Sequence, residues 1–227
     1  MPEEINRIMT DHVSEFLLCP TKTAIENLKK EWLEKGVIRV QDPMYITVNY
    51  FKDIALQKKY IGKLNLAENN YYFATIHRPS NTDTKEQLES IINLFNSLNK
   101  KILIPLHPRT RNKIKEFNLD LWKNIVLIEP CGYLETLNYM FNSDAVITDS
   151  GWLQKEAYIL WKNIFTVRNT TEWIETVESW RNKLILDNNW ELLRVAKDLI
   201  EKYRDWEYID FYWEWEKLEN LFSKILK

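Results

Sequence analysis

Glycine is scarce in this chain: 4 among 227 residues, against 10 tryptophans. Ordinary usage near 7% would supply about 16. Glycine serves wherever the backbone takes a positive φ, so either the fold avoids such positions or another residue fills them. Cysteine is scarce too. Cys19 and Cys131 stand far apart, which excludes a disulfide framework and a cysteine zinc motif. The three histidines lack the close spacing to cysteines or carboxylates that a metal site needs, so no metal is expected. No apolar run approaches the ~20 residues of a membrane span. No basic segment followed by an apolar stretch opens the chain, so no signal peptide is expected and the expected compartment is cytoplasmic. Charge of one sign is also missing. The 31 Lys+Arg balance 33 Asp+Glu for a net charge of −2, and a pI near 6.0 offers no basic face to nucleic acid. There is no Walker A, no G-x-G-x-x-G and no G-x-S-x-G.

What is present is the composition of a globular protein, 45% hydrophobic and 28% charged. Helix and strand patterns alternate along it. Helices are expected over 2–14, 21–35 (with Thr21 as cap and Gly36 as stop), 84–98, 112–117, 133–141, 153–160, 188–203 and 214–226. Short apolar strands are expected over 15–19, 37–40, 71–76, 101–106, 125–128, 145–148 and 164–167. Residues 43–66 are a helix-and-connector mixture at a junction. Continuous apolar strands alternating with helices predict a Rossmann-like, doubly wound parallel α/β sheet, with ligands at the carboxyl ends of the strands.

Three loops at strand ends hold the polar groups: His77-Arg78-Pro79, His107-Pro108-Arg109-Thr110-Arg111, and Asp149-Ser150-Gly151-Trp152. A strand running through Ser150-Gly151 into a helix exposes backbone N–H groups to an anion such as phosphate. Glu156, within the first two turns of that helix, suits two hydrogen bonds from a ribose diol. A carboxylate near a helix N-terminus also has a plain helix-dipole reading of equal weight. Arg78, Arg109 and Arg111 offer bidentate donors to phosphate, and His77 and His107 offer acid–base groups. The alternative is that such loops are simply polar. Glu3 and Arg7 share a helix face, either as a solvated ion pair or as a carboxylate held in a cleft.

Pro-Glu-Glu-Ile-Asn-Arg (2–7), Cys-Pro-Thr (19–21), Ala-Thr-Ile-His-Arg (74–78), Leu-His-Pro-Arg-Thr (106–110), Glu-Pro-Cys-Gly-Tyr-Leu (129–134) and Thr-Asp-Ser-Gly (148–151) with Gln154 and Glu156 occur in this order. By these motifs the chain resembles the non-hydrolysing UDP-N-acetylglucosamine 2-epimerases over nearly its whole length. The resemblance implies a GT-B type fold of two Rossmann-like domains with a UDP-sugar between them. It implies an isomerase acting by elimination and re-addition of UDP, without metal, nicotinamide or other cofactor. Glu3, Arg7 and His77 would be the catalytic set. Arg78, His107, Cys131, Thr136, Ser150, Gly151, Trp152, Glu156 and Trp173 would bind UDP, with Cys131 to Thr136 at the uracil and Glu156 at the ribose. Leu153 to Tyr158 and Thr171 to Glu178 look most like the branch acting on UDP-2,3-diacetamido uronic acids, with UDP-N-acetylglucosamine as the other substrate.

Two departures from the family pattern stand out. The family carries a Rossmann half before the Pro-Glu-Glu motif. Residues 1–45 would therefore be the tail of an N-terminal domain, 46–205 the UDP-binding domain, and 206–227 a helix packing back toward the first. The missing half, in the same chain or as a partner subunit, would be needed for activity, and family members are commonly homodimers. A non-catalytic UDP-sugar-binding remnant and a GT-B glycosyltransferase half are the other readings. The second departure is that Trp152, Trp161, Trp180, Trp213 and Trp215 stand where the family has glycine, with Trp32 as a further case and Trp173 as a genuine tryptophan. Either UGA codons that the source reads as glycine appear here as tryptophan, or the chain has diverged and its site is damaged.

Overall fold

A computed structural model describes residues 2–186, 191–204 and 212. The chain falls into two compact units, one drawing on residues 1–47 and the other on 48–209. The first unit holds α1 (Pro2–Val13), β1 (Leu17–Cys19), α2 (Lys22–Lys30) and β2 (Val37–Arg39). The two strands pair in parallel, Leu17 opposite Val37. Their core is Leu17, Cys19 and Leu28, with Ala24, Ile25, Leu33 and Val37 packed against it. Thr21 caps α2 by accepting the Ala24 N–H at 3.1 Å. The helix stops at Lys30 rather than Lys35, because Trp32 turns to φ 63°. Gly36 (φ 76°) therefore ends no helix. It admits the close approach of the segment between α1 and β1: a Cβ there would stand 2.1 Å from the Glu15 carbonyl oxygen.

After α3 (Pro43–Leu56) and a 3₁₀ turn at Ile61–Leu64, the second unit alternates strand and helix. Its elements are β3 (Tyr71–Thr75), α4 (Pro79–Thr82), α5 (Lys85–Ser97), β4 (Lys101–Pro105), α6 (Pro108–Glu116), β5 (Ile125–Ile128), α7 (Tyr133–Asn142), β6 (Ala145–Thr148), α8 (Gly151–Ile159), β7 (Asn163–Thr166), α9 (Ile174–Glu178), β8 (Asn182–Leu184) and α10 (Glu191–Lys202). The six strands form one sheet in the order β5-β4-β3-β6-β7-β8, every pair parallel. This is the expected doubly wound α/β sheet. The strands read as unbroken apolar runs because helices cover both faces. Tyr71, Tyr72, Phe73, Ile102, Leu103, Val146, Ile147, Ile164 and Phe165 are fully buried.

The helix starts differ from expectation for a local reason. His107 caps α6, which begins at Pro108 rather than Asn112, and Ser150 caps α8, which begins at Gly151 rather than Leu153. Capping chemistry moves a start upstream of the apolar periodicity. The segments α4, α9 and β8 have four, five and three residues, too few to carry a period. The helix expected over 214–226 and the segment 206–227 lie outside the described residues, apart from Tyr212.

The chain runs from β3 outward through β4 to β5, then returns to place β6 on the other flank of β3. The loops leaving β3 and β6 therefore depart in opposite directions, opening the crevice at which open α/β sheets bind ligands. Thr75 faces Thr148 across it, their hydroxyls 2.7 Å apart.

Candidate functional site

The loops leaving β3 and β6 are tied together by one carboxylate. Asp149, fully buried, accepts the backbone N–H of His77 at 3.0 Å and that of Arg78 at 2.8 Å. It also accepts the side-chain amide of Asn81 at 3.0 Å, which in turn donates to the Val167 carbonyl at 3.0 Å. The fourth partner is the His77 imidazole, with Nδ1 3.1 Å from Asp149 Oδ1. Burial alone would raise the Asp149 pKa, but the bonds from His77 and Arg78 outweigh it and hold the carboxyl below its usual range. The same bond raises the His77 pKa, so the imidazole keeps its proton to higher pH than free histidine. With Nδ1 committed to Asp149, Nε2 is the nitrogen left to meet a ligand.

His77 lines a cleft of about 350 Å³ at the carboxyl ends of β3 and β4, together with His107, Cys131, Thr136, Ser150 and Leu153. The His77 and His107 rings lie 5.9 Å apart. His107 Nδ1 accepts the Arg109 N–H at 3.2 Å, so it caps α6 and also presents its ring to the cleft. Cys131 Sγ lies 3.3 Å from the Thr136 hydroxyl. Burial pushes the Cys131 thiol pKa up, which makes it a neutral wall group rather than a nucleophile. A more open hollow of about 530 Å³ lies at Leu98 and Leu121–Asn124, before β4 and β5. That is the amino end of the sheet, where this architecture does not place ligands.

The start of α8 closes the cleft. Ser150 Oγ accepts the Leu153 N–H at 3.4 Å, a long bond that a ligand oxygen could replace. A Cβ on Gly151 would stand 3.1 Å from Glu172 Oε2, so any larger residue here would press on the Glu172 carboxylate. Glu172 takes a bidentate grip from Arg168, at 2.8 and 2.9 Å, and Arg78 lies 3.7 Å from its other side. A carboxylate thus rests between two guanidinium groups at a helix N-terminus, an environment equally suited to phosphate. Arg168 and Glu172 were not singled out in the sequence. Their signal is position: they follow β7 at the same carboxyl edge. Trp152, the second residue of α8, is 72% exposed. Trp173 donates its indole N–H to the Gly151 carbonyl at 2.7 Å and receives the Lys155 ammonium over its ring at 4.2 Å. Its visible work is to fix the first turn of α8.

Glu156 is buried one and a half turns into α8. Burial pushes its pKa up to about 7, opposed by a hydrogen bond from the Tyr133 hydroxyl; the Tyr133 pKa rises to about 12, chiefly through burial. The sign of the linkage follows. A carboxyl whose folded pKa lies above its ordinary 4.5 stabilises the protein fully below that value and loses the contribution as pH rises through about 7. Stability is therefore expected to fall by about 3 kcal/mol across that interval, and Glu156→Gln, which cannot ionise, is expected to abolish the fall. Denaturant titrations of both proteins at stepped pH check this.

Glu3 and Arg7 belong to α1 in the first unit. Arg7 bonds Glu4 at 2.8 Å, Asp11 at 2.6 Å and Glu31 at 2.5 Å. Arg7 is thus the centre of a carboxylate cluster on the first unit, and the side chain of Glu3 lies outside what the structure describes. The structure brings His77, Arg78, His107, Cys131, Thr136, Ser150, Gly151, Trp152, Glu156 and Trp173 to one edge of one sheet. Asp149, present in the sequence analysis only as part of a motif, is the residue that anchors the first two of them.

Comparison with known proteins accords with this geometry. The family model described as UDP-N-acetylglucosamine 2-epimerase matches residues 1–220. A UDP-N-acetylglucosamine 2-epimerase homolog of Methanococcus maripaludis is 45% identical over 199 residues, covering 85% of this chain and 56% of that protein. A UDP-2,3-diacetamido-2,3-dideoxy-D-glucuronate 2-epimerase of Pseudomonas aeruginosa is 40% identical over 191 residues, covering 82% of this chain and 52% of that one. The crystal structure of Methanocaldococcus jannaschii UDP-GlcNAc 2-epimerase in complex with UDP-GlcNAc and UDP superposes with a TM-score of 0.82 at 36% identity, covering 100% of this chain and 64% of the other. The chain thus spans between half and two thirds of the length of these relatives. A match along nearly all of its residues, on a sheet whose carboxyl edge gathers the same motifs, shows that the chain belongs to the UDP-N-acetylglucosamine 2-epimerase family.

Proposed function

We propose that the second unit binds the UDP part of a UDP-sugar at the cleft of β3, β4 and β6, and that the protein containing this chain is a UDP-sugar 2-epimerase. One observation carries the reading: His77, its Nδ1 held 3.1 Å from a buried carboxylate, lines the same cleft as Ser150 at the start of α8. The diphosphate would lie at Ser150, Gly151 and residue 152, taking the place of the Glu172 carboxylate between Arg78 and Arg168. The ribose diol would donate to Glu156, and the uracil would rest on Cys131 and Thr136.

The reaction breaks the C2–H and C1–O bonds of the sugar, forming a C1=C2 double bond and releasing UDP. UDP then bonds C1 again as a proton enters C2 from the opposite face. His77, whose protonated form Asp149 favours, balances the negative charge that grows on the diphosphate as the C1–O bond opens. Glu3, with Arg7 nearby in sequence, is a candidate for the proton at C2. The remaining catalytic wall would come from the part of the relatives that this chain does not span, in one polypeptide or as a partner subunit. Dimerisation and a cytoplasmic location follow the same reading. The sugar is N-acetylglucosamine or its diacetamido uronate analogue, the two substrates named among the relatives.

Two measurements test this. In titration calorimetry of this chain, UDP is expected to bind more tightly than 2′-deoxy-UDP. Glu156→Ala is expected to cost UDP about 1.5–3 kcal/mol, the worth of charged hydrogen bonds, and to erase the preference for the ribose. Equal binding of the two nucleotides by the unaltered chain would remove the ribose assignment. Interconversion of UDP-N-acetylglucosamine and its C2 epimer, with the diacetamido uronate assayed in parallel, is expected only when the missing part of the relatives is supplied. Turnover by the 227 residues alone would place a complete active site within them.

A further inference from the structure

Three tryptophans occupy backbone positions made for glycine. Trp32, Trp161 and Trp180 have φ of 63°, 65° and 67°, a left-handed conformation that a bulky L-residue avoids because its Cβ crowds the following carbonyl. All three sit in the same place, one residue beyond the cap that ends a helix: α2 at Glu31, α8 at Leu160 and α9 at Ser179. Around Trp32 and Trp161 the chain closes a full Schellman turn. The N–H groups of Trp32 and Leu33 return to the carbonyls of Lys29 and Leu28, both at 3.0 Å. Those of Trp161 and Lys162 return to Tyr158 and Ala157 at 2.9 and 3.0 Å, and that of Trp180 to Val177 at 2.9 Å. This motif calls for glycine at its left-handed residue, and asparagine is the usual substitute. After α6 the substitute is in place: Asn118, at φ 53°, makes the same turn.

The indoles stay largely in solvent, Trp180 carrying the Lys183 ammonium over its ring at 4.0 Å. Trp32, Trp161 and Trp180 are 93%, 59% and 65% exposed. Trp173 behaves differently, with φ −104° and an indole N–H bonded to the Gly151 carbonyl. Trp122, at 62% exposure, also avoids positive φ. Strained and unstrained tryptophans therefore form two populations in one chain that is also short of glycine.

We infer that residues 32, 161 and 180 are glycine in the protein as its source makes it, Trp152 joining them, because their codons are UGA in a genetic code that reads UGA as glycine. UGA taken as tryptophan deposits indoles at glycine sites and leaves the UGG-encoded tryptophans untouched, which produces the two populations. For Trp152 the inference rests on the proposed function: glycine there would expose the start of α8 to a diphosphate, whose oxygens need bare backbone N–H groups.

The gene's codons give the first test. UGA is expected at 32, 152, 161 and 180 and UGG at 122 and 173; UGG at 32, 161 and 180 would overturn the inference. The second test is thermal unfolding of this chain beside the W32G/W161G/W180G variant. Relief of three left-handed strains is expected to raise Tm by about 5–10 °C, whereas Trp122→Gly, at an ordinary φ, is expected to lower it. A lower Tm for the triple variant would show that these are not glycine sites. In the third test, UDP titrated into Trp152→Gly is expected to bind at least about tenfold tighter, two or three recovered N–H bonds sufficing for that. Failure of this arm alone, with the Tm and codon results as expected, would remove the diphosphate reading at α8 and leave the glycine sites standing.

Discussion

His77→Asn is expected to lower kcat about 10²–10⁴-fold, the usual worth of a positioned acid or base, with a fall in melting temperature smaller than that of Asp149→Ala, since Asp149 keeps its bonds from the N–H groups of residues 77 and 78 and from Asn81. The measurement is made on this chain joined to the part of the Methanocaldococcus jannaschii relative that it does not span. The His77 side chain is 40% exposed and its ring supports no core. The asparagine keeps the backbone N–H that Asp149 accepts at 3.0 Å, so the loop stays anchored. What is lost is the ionisable group at the cleft. Because Asp149 raises the His77 pKa, the basic limb of kcat in the parent enzyme is expected to lie at higher pH than an ordinary histidine would place it, and to disappear in the variant. A Tm fall of many degrees with activity retained would assign His77 to folding instead.

Asp149→Ala is expected to do the reverse and act first on stability. It strands the N–H groups of His77 and Arg78 and the amide of Asn81, all bonded to a carboxylate with no solvent exposure. Removing one partner of a buried charged cluster costs about 3–5 kcal/mol, or roughly 6–20 °C in Tm for a chain of this size. The pH dependence separates this from a plain packing defect. Asp149, held below its ordinary 3.8, contributes stability above that value and loses it as pH falls further. His77, raised above 6.5, contributes fully below 6.5 and loses it as pH rises through its folded pKa. The pair's joint contribution is therefore largest between those limits, and the difference in Tm between parent and variant is expected to peak there. A constant difference from acid to alkaline pH would mean that the coupling between the two groups is negligible. In the conservative Asp149→Asn, the NMR titration of His77 is expected to return toward its ordinary value. Asp149 thereby acts as a positioning residue, through His77 rather than on substrate.

Both expectations rest on a site only partly visible in sequence. The doubly wound sheet was legible because each strand from Tyr71 to Val167 is a short unbroken apolar run, a pattern that burial on two faces imposes. The loops that carry chemistry were legible too, since polar residues directly after such strands fall at the carboxyl edge whatever the strand order. Ser150-Gly151 could be placed at a helix start from capping chemistry alone. The short elements α4, α9 and β8 could not be found, and helix starts and stops moved by several residues where a cap or a left-handed residue overrode periodicity. Thr21 marks the start of α2 in the sequence. Its end at Lys30 depends on the φ of Trp32, which no glycine announces.

The sequence by itself determined the alternation of the second unit, the edge of its sheet that takes ligands, and the residue types gathered there. Strand order was decided only in three dimensions. Placing β6 against β3 brings Asp149 beneath His77 and Arg78, residues 72 and 71 positions away. A long-range hydrogen bond leaves no periodic trace in a sequence, whereas a buried face does. The same reason hid Arg168 and Glu172, which meet Arg78 through the packing of β7 beside β6. It also hid the elevated pKa of Glu156, whose cause is burial rather than any neighbour in the chain.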